Sequence, residues 1–318
     1  MKIVILDGYA LNPGDLSWDF LNQFGSVTIY DRTPEDQIIS RIGDADIVIL
    51  NKCPITAPTL DACPGIKLSC VLATGYNVVD TAAAKERGIP VCNVPDYGTA
   101  AVAQFTFALL LELCHRVGHH GNTVREGKWC GCPDFCYWET PQMELAGKAM
   151  CIIGFGRIGR AVGKIANAFG MKVIAYNRSQ CQEGKAIGSY VNLEGLLATA
   201  DVISLHCPLS AENTGMINAE AIAKMKDGAI LLNTARGPLV DEAALRAALE
   251  SGKLRGAACD VISAEPMKAD NPLKDAPNCI VTPHMAWAPI ESRKRIQDCT
   301  ERSIRAFLEG SPINTVNM

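Results

Sequence analysis

The apolar stretch Cys151-Ile152-Ile153 runs directly into Gly154-Phe155-Gly156-Arg157-Ile158-Gly159, and few sequence features narrow a fold as far. A short apolar run ended by glycine reads as a buried strand. The next stretch, Arg160–Phe169, carries Val162, Ile165, Ala166 and Phe169 at helical spacing, and Lys172–Tyr176 is a second apolar run. Together they form a strand–helix–strand unit with a glycine-rich first turn. In such a unit Gly154 serves the tight turn, Gly156 lets a pyrophosphate approach the backbone, and Gly159 lets the helix pack on the strand. Arg157 and Ile158 lie at the helix start, where unpaired N–H groups and the helix dipole favour phosphate. The expectation is a bound dinucleotide.

Further apolar runs, Ile3–Leu6, Ile47–Leu50, Leu68–Leu72, Val202–Leu205, Ala229–Leu232, Ala257–Val261 and Cys279–Thr282, alternate with helical patterns. Strands with no polar alternation are covered on both faces, which means parallel sheets. From Met150 to Thr282 the pattern counts six strands, a full dinucleotide-binding sheet. The part before Pro95 has strand–helix units but no glycine fingerprint. Between the two lie a long apolar helix, Thr99–Cys114, and a loop-like segment, Gly118–Pro141. The final helical stretch, Pro289–Glu309, has no strand after it and is expected to return to the first domain. A chain of 318 residues also exceeds the usual size of a single core. The fold class expected is therefore α/β, with two doubly wound parallel-sheet domains. A Rossmann dinucleotide domain, residues 99–288, is inserted into a flavodoxin-like substrate domain, residues 1–98 and 289–318.

A net charge of −4 argues against a nucleic-acid binder, which would normally show a basic face. The most apolar stretch, Ala100–Cys114, is broken by Gln104 and Glu112. It falls short of the roughly 18–20 apolar residues of a membrane span. The start, Met1–Asp7, reads as a buried strand rather than a signal. The 14 cysteines are scattered through strands and helices, so they read as reduced thiols of a cytoplasmic protein. Cys130, Cys132 and Cys136 lack the spacing of a structural zinc site, and no metal is expected.

The residue at the end of the second fingerprint strand selects the dinucleotide. An acidic residue there bonds the ribose hydroxyls of NAD. This chain has Asn177-Arg178-Ser179, which offers no charge against a 2′-phosphate and two side chains that can bind one. NADP(H) is expected to be favoured, with NAD(H) tolerated. Ligands of such sheets sit outside the carboxyl ends of the strands. Just past three strands come Arg236, Glu265 and His284: a cation, a carboxylate and an imidazole. Hydride transfer to a ketone needs a proton donor and an anchor for any carboxylate. Arg236 suits the anchor and His284 the donor, and Glu265 would bond the far imidazole nitrogen, fixing its tautomer.

With these residues in view, the chain resembles the D-isomer-specific 2-hydroxyacid dehydrogenases along nearly its whole length. The motifs that carry the resemblance are Ala73–Asp80, the glycine unit, Asn233-Thr234-Ala235-Arg236-Gly237, Asp260–Pro266 and Thr282-Pro283-His284. Within that family, His284–Pro289 and Phe135–Trp138 are most similar to the glycerate dehydrogenase/hydroxypyruvate reductase group. The resemblance implies that Arg236, Glu265 and His284 are catalytic. It implies that Thr74 and Gly75 approach substrate and cofactor from the first domain, and that Cys207 and Pro208 flank the adenosine. Thr234, Ala235 and Ala286 would line the cofactor, Asp260 would hold the nicotinamide carboxamide, and Trp287 would face the substrate. It further implies reduction of hydroxypyruvate or glyoxylate, in a cleft that closes on its ligands. The segment Trp129–Pro141 resembles a dimerisation arm, with Trp138 either reaching a neighbouring substrate site or packing at the contact. Asn177 is the departure, since most relatives have Asp there.

Other residues read as structural. His115, His119 and His120 mark a solvated helix end without a nearby carboxylate. His206 is a structural histidine, Cys207 a packing residue, and Arg293-Lys294-Arg295 an exposed helical face. Two other functions fit the same fold: a reductase of larger 2-keto acids, and a non-catalytic nucleotide sensor that recruits partners. The intact set Arg236, Glu265 and His284 favours catalysis.

Overall fold

The computed structural model describes residues 1–318. The apolar runs form parallel strands with helices on both faces, because neither face of such a strand can be left in water. One unit comprises Met1–Gly98 and Trp287–Met318, the other Thr99–Ala286. The first contains β1 (Lys2–Ile5), β2 (Ser26–Ile29), β3 (Ile47–Leu50), β4 (Leu68–Val71) and β5 (Val91–Cys92). These pair in parallel in the order β2-β1-β3-β4-β5. That is the flavodoxin-like doubly wound order, with its switch point between β1 and β3.

The second unit contains β6 (Ala149–Ile153), β7 (Lys172–Tyr176), β8 (Ser189–Tyr190), β9 (Val202–Leu205), β10 (Ala229–Asn233), β11 (Leu254–Cys259) and β12 (Cys279–Val281). Their order is β12-β11-β10-β9-β6-β7-β8. Counted from β6 this is the Rossmann order with one more strand at the far edge, and the switch point lies between β6 and β9. The sequence pattern counts six strands here and the structure has seven. The unforeseen one is β8, two residues paired as Ile174↔Ser189 and Ala175↔Tyr190, too short to leave an apolar run.

Alternate residues of each strand feed opposite cores. On one side of the second sheet, Cys151, Ile153, Ile203 and Leu231 pack together. On the other, Met150, Ile152, Val202 and Ile230 meet Leu109, Leu110 and Leu113 of the helix Thr99–His115 and Val162 and Ala166 of the helix Arg157–Ala168. No single helix is long and apolar enough to cross a membrane. In the first unit the C-terminal helix, Ile290–Leu308, buries Ile296, Cys299 and Ile304 against Ile3, Ile5 and Ile49.

Three readings need correction. The segment after the long helix is not simply a loop, because a helix forms at Val117–Arg125. Arg116, in the left-handed region (φ 49), separates it from the helix before. His115 and His119 therefore lie on different helices. A carboxylate also reaches His119 from twenty residues on, with Glu139 Oε2 2.5 Å from its Nε2. The basic triplet is not one exposed face either. Arg293 is 7% exposed and pairs with Asp15, at 2.6 and 2.7 Å, and also donates to Leu11 O and Ala288 O. Its carboxylate partner Asp15 and the Leu11 carbonyl lie far away in sequence, so the local pattern held no sign of them. Arg293→Ala is expected to lower the melting temperature by about 3–6 °C. Lys294→Ala, at the exposed position beside it, should change it by less than about 1 °C in the same calorimetric scan.

Candidate active site

Gly154 has φ +94, and a side chain there would put its Cβ 2.4 Å from Cys207 N and 2.5 Å from the His206 carbonyl carbon. The loop therefore presses directly on the chain leaving β9, at the switch point. A Cβ on Gly159 would lie 2.2 Å from Gly154 O, so helix and turn touch backbone to backbone. Gly156 differs: a Cβ there would meet nothing within 4 Å. It also caps the helix Arg157–Ala168 without any side-chain hydrogen bond. Open space beside an uncapped helix N-terminus fits a pyrophosphate, so the residues present suit a dinucleotide.

Asn177, just past β7, is turned toward this loop. Its Oδ1 accepts from Phe155 N at 3.1 Å, and its Nδ2 donates to Ser179 O at 2.7 Å. A carboxylate could replace the first bond but not the second, because it has no donor. Arg178 is exposed and in no ion pair, and its charge reaches the Cys207 thiol, where it opposes a rise caused mainly by burial. Arg178, Ser179, Cys207 and Pro208 thus border the same end of the loop. Arg157 and Ile158 stand in the first turn of its helix.

At the next strand end, Asn233 is 1% exposed and organises the turn after β10. Its Oδ1 accepts from Ala235 N at 3.1 Å and its Nδ2 donates to Arg236 O at 2.9 Å. Thr234 is held from the other side, its hydroxyl 3.2 Å from that of Thr106. Arg236 is left exposed, its guanidinium bonded only to Ala235 O and facing no carboxylate partner.

Beyond β11 stands Asp260, 1% exposed. Its Oδ1 accepts from Thr282 Oγ1 at 2.6 Å and Met285 N at 2.9 Å, and its Oδ2 from Ala286 N at 2.9 Å. Its backbone oxygen accepts from His284 N at 2.8 Å. His284 itself has φ 52, a left-handed conformation that costs a non-glycine residue on the order of 1 kcal/mol or more. Asp260 holds that conformation in place. Three of the roughly four acceptor positions of its carboxylate are taken by this loop, which leaves one for an expected carboxamide. The imidazole Nδ1 of His284 lies 2.7 Å from Glu265 Oε2, while the other oxygen of Glu265 accepts from Ile262 N at 3.3 Å. No other residue bonds Nε2 of His284. The structure thus joins Glu265 to His284 and leaves Arg236 without a hydrogen bond to either.

Thr74, Gly75 and Trp287 belong to the first unit. Thr74 Oγ1 donates to Val94 O at 2.7 Å just after β4, Gly75 is exposed beside it, and Trp287 packs edge-on against Tyr97. Trp138, 66% exposed, lies in the segment after the helix Val117–Arg125.

One arrangement at this edge was not anticipated. His206 Nε2 is 2.8 Å from Ser204 Oγ, and Nδ1 is shut off from solvent with no partner. The signal was Ser204, the one polar residue in the otherwise apolar strand Val202–Leu205. Burial pushes His206 down to about 3.

A profile for the D-isomer specific 2-hydroxyacid dehydrogenase NAD-binding domain matches residues 107–286. The chain belongs to the D-isomer-specific 2-hydroxyacid dehydrogenase family. It is an oxidoreductase that uses a nicotinamide dinucleotide. Among its relatives is a hydroxypyruvate reductase of Blautia hydrogenotrophica, 56% identical over the full length of both chains. A glycerate dehydrogenase of Methylorubrum extorquens is 41% identical, covering 99% of this chain and 98% of that one. Among solved structures, an acyclic imino acid reductase in complex with NADPH and D-Arg has a TM-score of 0.85 at 31% identity, over 99% of this chain and 100% of that one.

The buried imidazole makes a pH-dependent contribution to folding. Free His206 would titrate near 6.5 and the folded one near 3, so between these values the unfolded chain holds the extra proton. Stability therefore falls as pH drops through that window. In urea unfolding at pH 7 and pH 4.5, His206→Asn should reduce the difference in stability between the two conditions by about 2 kcal/mol.

Proposed function

We propose that this dehydrogenase reduces hydroxypyruvate and glyoxylate to D-glycerate and glycolate, with NADPH preferred over NADH. The observation that carries the reading is the 2.7 Å contact between His284 Nδ1 and Glu265 Oε2, with Nε2 unclaimed by the protein. The names of the full-length relatives support the substrate class.

When bound, the dinucleotide supplies the hydride. The residues of the chain manage everything else. His284, charged and held by Glu265, donates a proton from Nε2 to the ketone oxygen as negative charge develops there. In the oxidation direction the same nitrogen accepts it. Glu265 bonds Nδ1 and fixes the orientation of the ring, so the proton in play is at Nε2. Arg236 meets the substrate carboxylate with its planar fork, which no protein carboxylate occupies. Asp260 keeps the His284 loop in its strained conformation. The first unit serves as the substrate domain and the second as the cofactor domain. Trp129, Phe135 and Trp138, 51%, 88% and 66% exposed, form the contact of a homodimer.

Preference for NADPH follows from Asn177, Arg178 and Ser179, and the NADPH complex of a structural relative supports it. Steady-state rates on a panel of 2-keto acids with both cofactors test the whole reading. The largest kcat/KM is expected with hydroxypyruvate or glyoxylate and NADPH. Failure of both acids, with larger keto acids turned over well, would exclude this substrate class. Asn177→Asp should shift the NADPH/NADH ratio of kcat/KM toward NADH by about tenfold or more, because a carboxylate opposes the 2′-phosphate.

Glu265→Gln should lower kcat for reduction and change its pH–rate profile, because a neutral amide replaces the carboxylate that bonds Nδ1 of the imidazole. The profile of the unaltered enzyme, retained in that variant, would rule out the pairing.

A further inference from the structure

The contact between Glu265 and His284 depends on a loop that carries Glu265 past the end of β11, and that loop is held from outside. Glu242 stands first in the helix Glu242–Glu250. An acidic residue there is ordinarily explained by the helix itself, as a cap or as a match to its dipole. Here Asp241 already does the capping, its Oδ1 accepting from Ala243 N and Ala244 N at 3.0 Å. Glu242 turns away instead and spends both oxygens on the other loop. Oε1 accepts from Ser263 N at 2.6 Å, and Oε2 accepts from Ser263 Oγ at 2.9 Å and Asn271 Nδ2 at 2.8 Å.

These bonds bracket Glu265 on both sides, since Ser263 precedes it by two residues and Asn271 follows it by six. The adjoining Ile262 N–H is the donor to Glu265 Oε1. A continuous chain of hydrogen bonds thus runs from Glu242 through the Ile262–Ser263 backbone to Glu265 and on to His284. The same backbone is pressed from the Arg236 side. A Cβ on Gly237, the residue after Arg236, would sit 1.8 Å from the Ile262 carbonyl carbon and 2.4 Å from Ser263 N. The loop of Glu265 is clamped between Gly237 and the start of the helix that follows it. Nearby, Cys259 is raised well above its usual range, first by burial and further by Cys279, Glu242 and Asp260, so its thiol stays neutral and adds no charge.

We propose that Glu242 is a positioning residue for the acid–base pair: it fixes Ser263 so that Glu265 meets His284 at hydrogen-bond distance. The inference rests on the reading of His284 and Glu265 given above. Glu242 touches neither substrate nor cofactor in this role and acts through Glu265 alone. Its removal lets the loop relax, lengthens the carboxylate–imidazole contact and frees the imidazole to turn from its aligned orientation.

The test uses the full-length enzyme with Glu242→Ala, Glu242→Gln, Ser263→Ala and Glu265→Gln in parallel. It reads kcat for glyoxylate reduction across pH, KM for glyoxylate, NADPH affinity by fluorescence titration, and the melting temperature. Glu242→Ala is expected to lower kcat about tenfold, the scale of effect that sub-ångström misplacement produces. Its pH profile should move in the same direction as that of Glu265→Gln, with NADPH affinity within about twofold of the unaltered enzyme. Glu242→Gln and Ser263→Ala each keep part of the bracket and should give smaller shifts in the same direction. They carry the test if the alanine variant does not fold. A uniform loss of rate at every pH, an unchanged kcat, or a parallel loss of NADPH affinity overturns the proposal. If the profile moves for Glu265→Gln but for no variant of Glu242 or Ser263, this inference alone fails. A profile unmoved by Glu265→Gln removes the acid–base reading beneath it.

Discussion

A single buried carboxylate, that of Asp260, holds the chemical edge of the second unit together. It accepts from Thr282, Met285 and Ala286, and its backbone oxygen takes the N–H of His284. Burying a charge is costly unless its hydrogen-bonding capacity is filled, so this carboxylate demands that the Thr282–Ala286 loop sit where it does. The loop answers by putting His284 into a left-handed conformation that it would not adopt alone. Removing Asp260 would therefore release the imidazole from its place as well as leave three donors without an acceptor.

The parallel sheet makes that arrangement possible. Every strand of the unit ends at one edge, so residues just after β6, β7, β9, β10, β11 and β12 gather there although they span more than a hundred positions in sequence. Close backbone contacts set the spacing between these ends. Gly154 touches the chain at His206 and Cys207, and Gly237 touches Ile262 and Ser263. Two glycines thus set the cofactor loop against the chain leaving β9, and the arginine loop against the carboxylate loop. Carboxylates then tie the loops: Asp260 to the histidine loop, and Glu242 to the loop that carries Glu265. Polar side chains over-determine a geometry that hydrophobic packing alone would leave loose.

The same logic explains what a linear reading misses. The β8 strand is invisible because two residues carry no periodicity. Arg293 looks solvent-facing because its neighbours Lys294 and Arg295 are exposed and because its partner, Asp15, comes from the other end of the chain. His119 has a carboxylate partner in Glu139 that its own helix does not supply. Glu242 looks like a helix-starting acid until Asp241 is seen to do the capping. In each case the deciding partner lies across a turn or a fold, where sequence spacing carries no information.

By itself, the sequence determined the strand–helix alternation, the glycine turn and the presence of a cation, a carboxylate and an imidazole after successive strands. These follow from local rules: apolar periodicity, the backbone freedom of glycine, and the tendency of parallel strands to present their carboxyl ends to a ligand. The resemblance carried by those motifs extended to the family. The tertiary structure alone decided that Glu265 and His284 touch, that Asp260 is a buried bracket, that Asn177 spends its amide on Phe155 and Ser179, and that Glu242 faces a loop rather than its own helix. Hydrogen bonds act over about 3 Å of space whatever the separation along the chain, and only folding sets those distances.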